Sequence, residues 1–191
     1  MDDARYLRHA RTYFDAVRRK ADKALAQASD AQFFATIDAE SNSLALIVKH
    51  VAGNLRSRWT DFFTTDGEKP DRDRDGEFVA DASADTRASL MRRWDDGWTT
   101  LFATLDSLAP ADLGRTVTIR GEPHAVFDAI ERQKEHYAYH VGQIVFLAKH
   151  LVGPKWTSLS VPRGKSEAFH SAVRAAEAKG WWGGRRTPPV A

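Results

Sequence analysis

A chain of 191 residues with 42% hydrophobic and 28% charged side chains can bury a full core without staples, and it reads as one domain with an extension. The formal net charge of +2, with arginines scattered among Asp and Glu, argues against a nucleic-acid partner. The absence of cysteine excludes disulfides, thiolate ligands and a cysteine nucleophile, and it fits a cytosolic protein. No apolar run approaches the ~20 residues of a membrane span, and the N-terminus has no signal core, so the expected setting is soluble and cytoplasmic.

In chain order, the first predicted helix covers about 3–28, where Tyr6, Leu7, Ala10, Tyr13, Phe14, Val17, Ala21, Ala24 and Leu25 recur at three- and four-residue spacing. A short loop through Asp30 to Glu40 follows, and Ser41, Asn42 and Ser43 offer N-caps to a second helix, about 43–64. Thr64 to Gly76 is polar, aperiodic and rich in turn formers, which predicts a surface loop. Asp85 is the expected cap of a third helix, about 86–107, with Leu90, Trp94, Trp98, Leu101, Phe102 and Leu105 as its stripe. Thr116 to Glu122 alternates like a strand and turns at Gly121, giving a small hairpin or an extended linker. The fourth helix runs from about 125 to 151 and stops at Gly153-Pro154.

Beyond it the texture changes. An extended stretch leads to Ser166, a short helix is expected over 167–179, and Gly180 to Ala191 reads as a frayed tail. The expected fold is therefore all-α: a four-helix bundle over 1–153, with a hairpin or linker before its last helix. A C-terminal extension over 154–191 is expected to pack on it.

Three histidines carry the chemistry. At about 100° per residue, the second helix has a stripe of Leu44, Val48, Val51, Leu55, Trp59 and Phe62, with Lys49, Arg56 and Thr60 opposite. His50 falls on the flank of that stripe, in line with Ser43, Asn54 and Ser57, where a helix borders either a cleft or solvent. In the fourth helix Glu131, Glu135, Gly142 and Lys149 mark the outer face, and His136 and His140 lie on the far side with Ala129, Gln143 and Leu147. Inward imidazoles need partners, either a carbonyl or a metal ion. An HxxxH pair stacks two rings on one helix face, and a third histidine from another helix would leave coordination positions open, as in catalytic sites. Position 137 is Tyr, so the glutamate of an HExxH protease is missing, and no carboxylate stands out as a general base. His9, His124, His150 and His170 read as surface or local residues, with His124 the nearest candidate neighbour of the site.

Ile47-Val48-Lys49-His50-Val51-Ala52-Gly53-Asn54 resembles the second-helix histidine motif of the DinB/YfiT-like superfamily. His136-Tyr137-Ala138-Tyr139-His140-Val141-Gly142-Gln143-Ile144 resembles its fourth-helix motif, HxxxHxGQI. Three further runs, Arg56 to Phe62, Thr65 to Pro70 and Ser160 to Ser166, resemble an uncharacterised branch of it, and the likeness covers about residues 3–170. It implies an up-down-down-up bundle, often homodimeric, with a divalent metal, most naturally Zn²⁺ or Ni²⁺, on His50, His136 and His140. It also implies a small-molecule substrate, since characterised relatives include transferases and isomerases that use low-molecular-weight thiols.

Around such a site Asn54 is a candidate for bonding a metal-bound water, and Arg58 for an anionic substrate or an interhelical salt bridge. Gln143 is a candidate for orienting a ligand or for packing, and Arg163 and Lys165 for a lid. The alternative is a non-catalytic metal-binding or dimeric interaction protein, with Trp181-Trp182 and Arg185-Arg186 as partner contacts.

Overall fold

Side-chain caps start the first four helices. In the computed structural model, which describes residues 2–177, Asp2 accepts from the Arg5 amide and opens α1 (Asp3–Leu25). Ser29 and Gln32 form a capping box that opens α2 (Asp30–Phe34). Ser43 accepts from the Leu46 amide to start α3 (Leu44–Trp59), and Thr86 and Ser89 cap each other at α4 (Arg87–Ser107). The hairpin β1 (Thr116–Ile119) and β2 (Glu122–Ala125) leads into α5 (Val126–Val152). Its two turn residues, Arg120 and Gly121, have φ of 56° and 77°, the left-handed pair that suits the twist of a two-residue hairpin turn.

The described residues are mostly helical, and this small antiparallel hairpin is their sheet. Within the unit Met1–Pro154, α3 packs on α4 and α1 on α5, while α3–α5 and α1–α4 contacts close the ring. The core holds Phe14, Trp59, Trp94, Trp98 and Tyr137, all buried. Gly97 allows the close approach of α4 to α3, because a Cβ there would lie 2.7 Å from Leu55 Cβ. The second unit, from Lys155, contains α6 (Ser166–Glu177), stapled by an Arg174–Glu167 ion pair of 2.9 Å. Trp181-Trp182, Arg185-Arg186 and the predicted tail lie outside the described residues. No described helix is long and apolar enough to cross a membrane.

Five expectations need correction. The loop Asp30 to Glu40 begins with a helical turn, whose Ser29-x-x-Gln32 signature is plain in the sequence. The second long helix ends at Trp59 rather than near 64: Thr60 turns to ψ 132° and Asp61 to φ 49°. Thr86, not Asp85, caps α4, because Asp85 is spent on Lys49, whose Nζ lies 2.7 Å from Asp85 Oδ2 and 2.9 Å from the Val79 carbonyl. Lys49, placed on an outer face by periodicity, is therefore buried. The loop Thr64 to Gly76 is not simply solvated, since its Arg72 guanidinium is buried against Glu77, the residue just beyond it.

Candidate metal centre

His50 comes from α3, and His136 and His140 come from successive turns of α5. One ring nitrogen of each lies within 4.8 Å of the others. His50 Nε2 is 3.3 Å from His136 Nε2, and the His140 ring centroid is 4.8 Å from that of His50 and 4.6 Å from that of His136. A tetrahedral ion with ~2.0–2.1 Å bonds to imidazole holds its nitrogens ~3.3 Å apart, so the first pair already stands at the required edge. His50 is buried, and the other two rings are partly open.

The outer nitrogens fix the chemistry. His50 Nδ1 lies 2.9 Å from Glu77 Oε2, and a carboxylate only accepts, so Nδ1 carries the proton and Nε2 keeps its lone pair. His140 Nδ1 lies 2.8 Å from Gln143 Oε1, which imposes the same tautomer. His136 Nδ1 is buried without a hydrogen-bond partner among the described residues, while its Nε2 faces the His50 Nε2 lone pair at 3.3 Å, so no contact pins the His136 proton to Nδ1. Burial, followed by the neighbouring imidazoles, pushes His136 down to about 3. Burial is also the main cause that brings His140 down to about 4, against the bond that its Nδ1 donates to Gln143. Both rings are thus neutral near pH 7, the form that binds metal. No further His, Asp or Glu of the described residues joins the group. Three imidazole nitrogens, two of them on rings whose outer nitrogen donates to a fixed acceptor, suit a borderline divalent ion with part of its coordination left to solvent or substrate.

Glu77 is the residue that sequence reasoning missed. It sits in a 3-10 turn, Gly76–Phe78, and reaches α3 because residue 53 is glycine: a Cβ at Gly53 would collide with the Glu77 carboxylate. Arg72 grips both Glu77 oxygens, Nε to Oε1 and Nη2 to Oε2 at 2.8 Å each. Burial raises the Glu77 carboxyl, but the bonds from His50 and Arg72 outweigh it and hold it below the usual range. Arg72 also reaches Glu68 at 3.2 Å, and Glu68 in turn binds Arg58 at 3.1 Å and Arg120 at 3.0 Å. Phe78 stacks on the His50 ring with centroids 4.6 Å apart.

The other candidates divide. Gln143 orients His140. Asn54 Oδ1 accepts from Tyr137 Oη at 3.0 Å, and that hydroxyl accepts from Trp59 Nε1, so Asn54 ties the site to the core. Arg58 makes the salt bridge to Glu68 within its own polypeptide segment rather than between helices, and it also donates to the Gly67 carbonyl. His124 faces Val117 across the hairpin and is not part of the histidine group, while His9, His150 and His170 are exposed. Arg163 and Lys165 belong to the second unit. A cleft of about 380 Å³ opens beside His50 and His136, bordered by Asn54, Gln133, Tyr139 and several arginines.

No curated protein and no solved structure matches the chain. Residues 2–165 match the family described as "Protein of unknown function (DUF1572)". The match spans most of the sequence, including both histidine segments and the Glu77 turn, and the chain belongs to this family.

Proposed function

We propose that this protein is a divalent-metal-dependent enzyme of the DinB-like type, an up-down-down-up four-helix bundle that holds Zn²⁺ or Ni²⁺ on His50, His136 and His140. The observation that carries this reading is the set of three ring nitrogens within 4.8 Å, two of them with tautomers pinned from behind by Glu77 and Gln143. Pinned outer nitrogens are typical of metal-binding imidazoles and raise ligand basicity. An ion bound to three neutral ligands supplies a strong positive charge that lowers the pKa of a coordinated water or thiol toward neutrality.

The protein's own groups do the positioning. Glu77 fixes His50, and Arg72 keeps Glu77 ionised and immobile through its paired contacts. Phe78 and Tyr137 shield the inner side from bulk water, and the cleft leaves the outer side open to a small molecule. Transfer or isomerisation with a low-molecular-weight thiol is the reaction class that the resemblance favours. A cytoplasmic homodimer completes the proposal, and the exposed Tyr139 and Phe146 of α5 support a partner-facing surface.

The test is metal analysis of protein purified without a histidine tag. The expected result is about one divalent ion per chain, lost in His136→Ala. Metal content unchanged in that variant would overturn the assignment. Metal-loaded protein should then turn over a thiol and an electrophilic acceptor, and turnover that survives His50→Ala would refute the mechanism.

A further inference from the structure

The cleft beside the histidines is built from arginine. Five of its eleven lining residues are Arg58, Arg72, Arg74, Arg120 and Arg132, with no lysine among them. They come from separate parts of the chain: α3, the segment after it, the hairpin turn and α5. Arg58 and Arg72 are consumed by Glu68 and Glu77, and Arg120 shares Glu68 through Nε while half of its side chain stays exposed. The side chains of Arg74 and Arg132 make no ion pair or hydrogen bond among the described residues. Glu135 is the one carboxylate lining the cleft, and it too has no ion pair there.

Glu68 and Glu77 pair with Arg58 and Arg72, and Arg74, Arg120 and Arg132 share the cleft lining with a single carboxylate, Glu135, so the lining is predominantly positive before any ion is bound. Like charges gathered around one concavity repel, and low-dielectric walls focus their field on whatever enters. Guanidinium is also the side chain whose planar fork matches carboxylate and phosphate oxygens in pairs. A second observation concerns the wall itself. Arg58 Nε and Gln133 Oε1 are buried with no partner among the described residues, so both a donor and an acceptor beside the cleft have unmet bonding capacity. A volume of about 380 Å³ fits a metabolite-sized molecule, not a chain segment.

We infer that the cleft binds a small ligand carrying at least two negative charges, with a carboxylate or phosphate group held by Arg74, Arg120 and Arg132. This names the substrate class of the centre proposed above and rests on that reading for the placement of the reacting end. The anionic end is recognised by the arginines, and the rest of the molecule extends toward His50 and His136. Dicarboxylates and phosphorylated metabolites share the required chemistry.

Calorimetric titration of the untagged full chain tests it, with succinate and inorganic phosphate as probes, succinamide as the uncharged counterpart, and ionic strength held constant with sodium chloride. Succinate or phosphate should bind and succinamide should not, and the better of the two anions identifies the source. The Arg74→Gln/Arg132→Gln variant should lose affinity by about tenfold or more, as expected for two lost charge-assisted contacts. Arg120→Gln should lose less, because Glu68 already holds part of that side chain. Metal content should stay at the wild-type level in these variants, since none of the three side chains makes a hydrogen bond or ion pair with a histidine of the group.

The inference is overturned if succinamide binds as well as succinate, if neither anion binds above the sodium chloride background, or if the double variant keeps full affinity. Anion binding retained by a metal-free His136→Ala protein would leave the arginine site standing while the metal reading is judged separately. A metal-loaded wild type that ignores both anions would sink the inference and spare the metal centre.

Discussion

Glu77 shows how one unremarked side chain governs the centre. Its carboxylate selects the His50 tautomer, and its position depends on a residue with no side chain, Gly53. Outer partners of metal-binding histidines are commonly worth 10–100-fold in metal affinity. Glu77→Gln is therefore expected to weaken metal binding by about 10–100-fold in competition with a chromophoric chelator. Gly53→Ala should weaken it in the same direction, because the added methyl displaces the carboxylate. An unchanged affinity in both variants would show that the contact behind His50 is incidental.

The pH dependence follows from His136 and His140. Their folded values, about 3 and about 4, lie below the unfolded value of 6.5, so the unfolded chain binds more protons between these limits. Stability of the metal-free protein is thus complete above pH 6.5 and declines as pH falls toward 4 and then 3. Urea unfolding of chelator-treated protein at stepped pH checks this, and the variant His136→Phe should flatten the decline. A flat profile in the wild type would contradict the burial of these rings as neutral imidazoles.

At the scale of elements, α3 explains most of what the sequence concealed. Where one helix face is buried and the other solvated, periodicity is legible, and α1, α4 and α5 lie close to their predicted spans. α3 is buried nearly all round, including Lys49, Asn54 and Arg58, so its polar residues cannot be sorted by period alone. The segment after it carries Glu68, Arg72 and Glu77, which look solvated in sequence because each needs a partner that only tertiary contact supplies. His50 was legible as a flank residue and the HxxxH pair as an inward one; the carboxylate behind them was not. The short α2 was legible through its capping box but outweighed by the polar residues after it.

Lys49 and Asp85 give this scale its own prediction. Their side chains are 11% and 7% exposed and 2.7 Å apart. Asp85→Ala leaves a buried ammonium without its counter-ion and should cost about 3–5 kcal/mol. Lys49→Met/Asp85→Ala should recover much of that loss, because the buried charge is then gone. Urea midpoints of the three proteins decide the matter. Equal destabilisation of the single and double variants would mean that packing, not charge, is lost.

For the molecule as a whole, the unit Met1–Pro154 brings three kinds of segment to one place. α3 and α5 supply the histidines from the packed helices, the 3-10 turn supplies Glu77, and the hairpin supplies Arg120 at the rim of the cleft. The aromatic core reaches that place directly: Trp59 and Asn54 both bond Tyr137, the residue between His136 and the next turn of α5. A centre supported by core, turn and hairpin together is pre-organised, which is what a metal site on rigid elements requires. The central claim is that one ion sits on these three imidazoles. X-ray absorption at the metal edge of the zinc-loaded protein tests it most directly. The account predicts three imidazole scatterers at about 2.0–2.1 Å in the wild type and two in His140→Ala. An oxygen-only shell, or an imidazole count unchanged by His140→Ala, would contradict it.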